Sequence, residues 1–308
     1  MAYHVILATH KILIPAPLAD NLSPTLARFF AVPDHGIVAL DGPDATAFAH
    51  AQFANDVAAL APGHWQWNAW LTPKGRVIAV FALVKASDDK LLLVLPDHPA
   101  ELFAEQLRRF VFRRKLQIAV PADLRVSAAF SPPALARNAQ IGVLEDGLEL
   151  DFGADGGGRT LRLSRSLAAG DGDGDDEALA QRWQAFDLRH GLPRLPSAQR
   201  EQWTPQQLSL DRLRAYSVKK GCYPGQEIVA RTHFLGKAKR GLALFRARMP
   251  LRAGAAVSDG ARDIGTIVSA SADGALALAV LPLDREPLPL SCGGSGLDEI
   301  PLQEGLAR

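Results

Sequence analysis

Cysteine is scarce in this chain. Its two cysteines, Cys222 and Cys292, stand far apart in unlike surroundings, which argues against a disulfide framework and a structural zinc site and fits a reducing compartment. An excess of either charge is also lacking. Thirty-four Lys and Arg face 33 Asp and Glu, and a net charge of +1 supplies no general attraction to nucleic acid or membranes, so any polyanion site has to be a local patch. Long hydrophobic runs are missing too. The longest, Val77 to Val84, stops at Lys85 and is far too short for a bilayer core of about 30 Å, so no membrane partner is expected. The first residues, Val5-Ile6-Leu7 followed by Thr9, His10 and Lys11, lack the parts of a signal peptide, and the expected location is the cytoplasm. With 308 residues, 48% of them apolar and 22% charged, what remains is a globular chain expected to divide among two or three domains.

Hydrophobic spacing in the first third predicts an α+β unit. Ile37 to Leu40 reads as a strand, Asp41-Gly42-Pro43 as a turn and helix start, and Asn55-Asp56 falls where that helix should end. Strands are predicted at Trp65 to Leu71, Arg76 to Leu83 and Leu91 to Leu95, the last two joined through Lys85 to Lys90 in an antiparallel hairpin. Leu102, Phe103, Leu107, Phe110 and Val111 share one face of a helix expected over His98 to Lys115. Weaker strands follow at Leu116 to Val120 and Leu124 to Ala129, then two Gly/Asp-rich interruptions, Gly153 to Gly158 and Gly170 to Asp176. The second resembles the start of a calcium loop through Asp171, Asp173 and Asp175. It has Asp176 where that loop needs Gly and Arg182 where it needs a bidentate Glu, so a solvated loop before a helix over Glu177 to Arg189 is the reading, and no metal site is expected. Beyond Arg240, short glycine-broken strands predict a small terminal β-barrel, with Cys292 to Gly296 in a flexible tail that lacks the lysine of a phosphate loop.

The segment richest in chemistry is Lys219-Lys220-Gly221-Cys222-Tyr223-Pro224-Gly225-Gln226-Glu227-Ile228-Val229-Ala230-Arg231. Glycine and proline in this order suit a rigid loop. Within it Cys222 is the one strong nucleophile and soft ligand, and Lys220 beside it favours thiolate, so the pair is the candidate catalytic centre. The plainer alternative is that Cys222 is a small apolar residue buried in a turn.

This segment resembles the Lys-Gly-Cys-Tyr-x-Gly-Gln-Glu signature of the YgfZ family, within the T-protein superfamily. The similarity runs on through Leu235 to Arg240, and back through Pro205-Gln206, Asp187 to Pro193, Asn68 to Leu83 with Lys74-Gly75, and Gln52 to Val57. It implies a T-protein-like architecture: two mixed antiparallel α/β domains around a central opening, at 1–120 and 121–238, then a C-terminal β-barrel and tail at 239–308. It also implies tetrahydrofolate, or a one-carbon derivative, as cofactor. Asn55 and Asp56 are candidates for the pterin end, with Tyr223, Gln226 and Glu227 as further contacts, and Arg231, Lys237, Lys239 and Arg240 for the anionic tail. Ordinary caps and solvated cations account for the same residues.

Where the aminomethyltransferases of this superfamily carry an acidic pair, this chain has Ala79 and Val80, and their pterin-contacting glutamate before a glycine appears as Arg189 near Gly191. Losing a general acid or base typically costs about 10²–10⁴-fold, so a direct copy of aminomethyl transfer is not expected. The resemblance implies instead a monomeric accessory protein for iron–sulfur cluster assembly or repair and iron–sulfur-dependent tRNA modification, with iron–sulfur enzymes or assembly proteins as partners. A folate-dependent one-carbon transferase with another acceptor is the alternative. Direct RNA binding is a third reading, resting on Arg108, Arg109, Arg113, Arg114 and Lys115 interleaved with Phe110 and Phe112; an amphipathic helix with cations near its C-terminus explains the same run.

Overall fold

The structure, a computed structural model, describes residues 28–165, 174–236 and 238–308. Lys237 and residues 170–173 of the acidic stretch lie outside the described residues.

In chain order come Phe30–Ala31 (β1), Gly36–Asp41 (β2), helix Ala45–Gln52 (α1), His64–Leu71 (β3), Val77–Ser87 (β4), Lys90–Leu95 (β5), helix Ala100–Arg108 (α2) and Gln117–Ala119 (β6). Strands β2 to β6 form one antiparallel sheet in the order β3-β4-β5-β2-β6. Alternate side chains of a strand point to opposite faces, and here both faces are covered. Val38, Leu40, Phe81, Leu83 and Leu93 pack beneath the helices with Phe48 and Phe103. Trp65, Trp67, Val80, Ala82, Val84 and Val94 form the other face and join a second core. Burial on two faces explains why β4 reads as an unbroken apolar run.

A second sheet takes β1 together with Arg125–Ala129 (β7), Gly142–Val143 (β8), Gly147–Asp151 (β9) and Thr160–Ser164 (β10), in the order β1-β7-β10-β9-β8. Phe152, at the end of β9, stacks on Trp65 at 4.9 Å, so aromatic rings join the two sheets. Helix Gly174–Arg189 (α3) brings Trp183 onto Phe30 and Phe130 of this core. Arg159, fully buried, lies over Trp183 and Phe186 and pairs with Asp187 at 2.8 Å. After an irregular stretch and helix Gln226–Phe234 (α4), a closed barrel is built from Arg240–Ala247 (β11), Ala256–Ser258 (β12), Asp263–Ala270 (β13), Leu276–Pro282 (β14), Leu290–Cys292 (β15) and Ser295–Ile300 (β16). Sheets, helices and barrel together make the α+β fold that was expected.

Three local expectations are corrected. Cys292 to Gly296 is no flexible tail: Gly293 and Gly294 take φ of 57° and 80° in a tight turn, and the strands on either side close the barrel with Leu290, Cys292 and Leu297 buried in its core. The chain end is likewise anchored, since Trp67 Nε1 donates to the Leu306 carbonyl at 2.8 Å. Gln226 onward is helix, not loop. Finally, α2 stops at Arg108 rather than Lys115, and the 111–114 stretch is a turn closed by Arg114 N–H donating to the Val111 carbonyl, with Phe112 at φ 46°.

Candidate functional site

The signature segment is held by backbone packing. Gly75, in the turn between β3 and β4, and Gly225, just before α4, both have left-handed φ, 70° and 81°. They touch backbone to backbone: a Cβ on Gly225 would lie 2.6 Å from the Gly75 Cα and from the Thr72 carbonyl oxygen. That contact fits only glycine and fixes where the Cys222 loop sits. The Gln206 amide ties the same helix down by donating to the Val229 carbonyl at 2.9 Å.

Lys220 is buried. Its ammonium donates to the carbonyls of His50 and, at 2.6 Å, Phe53, and lies 4.8 Å from the centre of the Tyr223 ring. These carbonyls end α1, so the cation caps that helix. Burial lowers the Lys220 pKa to about 8, opposed by the charge of Asp56. Tyr223 is buried as well, its hydroxyl donating to the Ser217 carbonyl at 3.3 Å, and burial pushes it up to about 12. Asn55 is spent on backbone: its amide donates to the carbonyls of Trp67 and Arg214, and its oxygen accepts the Asp56 N–H. Asp56 accepts the Ala59 N–H and faces His50 at 3.3 Å. Cys222 alone among these is exposed, with no hydrogen bond to another described residue. Gln226 and Glu227 open α4, and Arg231 in its last turn is exposed. Arg240, with Arg212 and Arg214, lines a separate cleft of about 710 Å³ beside α4.

A larger cavity, about 920 Å³, is elsewhere, where the two sheets and the barrel meet. Gly36 pairs with Leu95, so the segments just outside these strand ends, Asp34-His35 and Asp97-His98, come to one end of the sheet. Both line the cavity together with Arg194 and Gln184, and Ala253 and Ala270 close it from the barrel side. Arg194 is the hub of its wall: it reaches Asp187 at 3.3 Å and Asp34 at 3.8 Å, and donates to the Pro96 carbonyl. Asp97 accepts the Leu195 N–H, and burial raises its pKa to about 6 against the pull of Arg194 and that hydrogen bond. Burial, reinforced by Arg194 and Arg159, holds His35 well below its ordinary value and therefore neutral. His35 Nδ1 and Arg194 Nε are buried with no partner among the described residues.

The structure thus brings Asn55, Asp56, Lys220 and Tyr223 together around the end of α1, and leaves Arg231 and Arg240 apart from them. None of the ten described candidates, Asn55, Asp56, Lys220, Cys222, Tyr223, Gln226, Glu227, Arg231, Lys239 and Arg240, lines the larger cavity. The cavity's own residues carry no motif. Their one signal in the sequence is the repeated Asp-His at positions 34–35 and 97–98, each beside a strand end.

No protein-family model matches the chain. It is 28% identical over 280 residues to the tRNA-modifying protein YgfZ of Vibrio vulnificus, covering 82% of this chain and 83% of that one. Against the tRNA-modifying protein YgfZ of Pectobacterium carotovorum it is 29% identical over 259 residues, 73% and 72% of the two chains. The chain is thus similar to these YgfZ proteins along most of its length. Its fold agrees: the glycine cleavage system aminomethyltransferase T from Bartonella henselae superposes with a TM-score of 0.67 over 91% of this chain and 89% of that one, at 16% identity. Within this fold Ala79 and Val80 are buried apolar residues on opposite faces of β4, one in each core, so this stretch of wall offers no carboxylate. No helix among the described residues is long and apolar enough to cross a membrane. No group of three His, Cys, Asp or Glu among them is placed to hold a metal ion.

Proposed function

We propose that the protein binds tetrahydrofolate, or a one-carbon derivative, in the 920 Å³ cavity, and acts as an accessory to tRNA modification by supporting iron–sulfur enzymes. The observation that carries the reading is a cavity of ligand size whose wall gathers the polar side chains of His35, Asp97, Gln184 and Arg194. A pterin presents a flat ring edged with donors and acceptors, and this wall offers their complements: the Asp97 carboxylate and Gln184 amide, the neutral His35 imidazole and the Arg194 guanidinium. Arg125, also in the lining, offers a cation to the anionic tail. Bound folate supplies one-carbon carriage; the residues here bind and orient it.

Cys222 serves a different step in this reading. Its exposed thiol meets the partner's thiol or cluster at the surface, since one cysteine alone holds no iron–sulfur cluster. Calorimetric titration of tetrahydrofolate into the purified protein tests the first half, and saturable one-to-one binding is expected. Absence of binding by tetrahydrofolate and by its methylene and formyl derivatives would remove the cofactor. The second half is tested by restoring iron–sulfur enzyme activity in cells lacking the native protein: Cys222→Ser is expected to fold and bind tetrahydrofolate but not to complement. Full complementation by that variant would return Cys222 to a structural role.

A further inference from the structure

The turn after α2 differs from the rest of the surface. Residues 111 to 114 form a hydrogen-bonded turn in which the second position has φ 46°, a place that glycine ordinarily takes, and here it holds Phe112. Phe112 is 88% exposed. The turn is anchored at both ends: Phe110 lies edge-on to Trp70 at 6.1 Å, and Lys115 exchanges backbone hydrogen bonds with Asp44, its N–H donating to the Asp44 carboxylate at 2.6 Å and its carbonyl accepting the Asp44 N–H at 3.2 Å. A strained, uncovered aromatic on a fixed turn gains nothing for the fold. Directly after it come the exposed side chains of Arg113, Arg114 and Lys115, within about 11 Å of chain. Their side chains have no hydrogen-bond or ion-pair partner among the described residues, whereas Arg109 before them pairs with Glu105.

We infer that this turn is a contact for single-stranded RNA, in which Phe112 stacks on one base and Arg113, Arg114 and Lys115 meet the adjoining phosphates. An aromatic face accepts any base, and unpaired cations beside it answer the backbone charge. The site stands apart from the cavity and does not depend on the folate reading. An anionic membrane surface is the competing occupant, but α2 ends at Arg108, before the aromatic and cationic run, and leaves no amphipathic helix there to lie on it.

The test is fluorescence anisotropy with a short labelled single-stranded oligoribonucleotide over salt from about 50 to 200 mM. Binding is expected, with Phe112→Gly weakening it by about 5- to 150-fold at fixed salt, the range measured for losing one base stack. Phe112→Gly removes both ring and strain, so its thermal unfolding and tetrahydrofolate affinity should hold, and Phe112→Trp should restore binding. Replacing Arg113, Arg114 and Lys115 together by Ala should flatten the log–log salt slope by about 2, from roughly 0.7 per phosphate on a single strand. Absence of RNA binding, indifference to Phe112→Gly, or binding only to vesicles containing phosphatidylserine would each overturn the inference.

Discussion

The signature loop and the large cavity are separate places in the fold, and they differ in how their residues are used. In the loop nearly every distinctive residue is used up internally: Lys220 caps α1, Tyr223 is buried against Lys220, Asn55 bridges three backbone segments, and Gly225 lies on Gly75. In the cavity, by contrast, residues that carry no motif converge on one wall. A dense motif can therefore be the scaffold that presents a single group, here the exposed Cys222, while the large cavity is lined by residues with no motif at all.

The sharpest way to break that division is Gly225→Ala. The new Cβ meets the Gly75 backbone at 2.6 Å in a left-handed conformation, and strain with overpacking should cost about 2–5 kcal/mol, read as a fall in denaturation midpoint. Complementation should fail. Folate affinity of the protein that remains folded should persist, because the cavity lies elsewhere.

Lys220 gives the next effect through pH. Its folded pKa of about 8 lies below the ordinary 10.5, so the unfolded chain binds the proton more tightly. Stability from this group therefore rises as pH climbs from about 8 to 10.5, and the cost of keeping the charge buried is fully present below that window. Comparison with Lys220→Met, in which other titrations cancel, should show the difference changing by about 3 kcal/mol across it. A parallel pair of pH profiles would mean that the ammonium is not buried as described.

In the cavity, His35→Ala should weaken tetrahydrofolate binding by about 1–3 kcal/mol if Nδ1 accepts its missing hydrogen bond from the ligand. Affinity should also rise as pH climbs through about 6, where Asp97 loses its proton and becomes a full acceptor, and Asp97→Asn should flatten that rise. Smallest of all is Arg231→Ala. On the exposed side of α4 and outside the cavity lining, it should leave the calorimetric affinity unchanged, and a loss of 1.5 kcal/mol or more would move the ligand toward the signature loop.

Much of the fold was legible because a strand's apolar signature survives wherever the strand is long enough to show it, as alternation at the start of β3 and as unbroken apolar runs in β4 and β5. It failed at Leu290–Cys292, three residues too short to establish a period and followed by a Gly-Gly turn that reads as flexible. The helix beginning at Gln226 was missed because Ile228 and Phe234 are exposed and its one buried apolar residue is Val229, so no apolar stripe marks it. The end of α2 was overrun for the opposite reason: Phe110 and Val111 keep helical spacing across a turn. At the site, the loop was legible as a motif but its side chains' duties were not, since nothing in the spacing of Lys220 says that it reaches back to the carbonyls of His50 and Phe53. The cavity draws on the starts and ends of strands, α3 and the barrel, and only folding brings His35, Asp97 and Arg194 to one wall.

The central claim, that ligand binding and the signature cysteine occupy different places, meets its most direct test in one calorimetric comparison. Tetrahydrofolate is titrated into Ala253→Trp, which fills the cavity from the barrel side, and into Cys222→Ser, which alters only the exposed loop. Binding should be abolished in Ala253→Trp and unchanged in Cys222→Ser, with both variants unfolding cooperatively. Wild-type affinity in Ala253→Trp, together with lost affinity in Cys222→Ser, would contradict it.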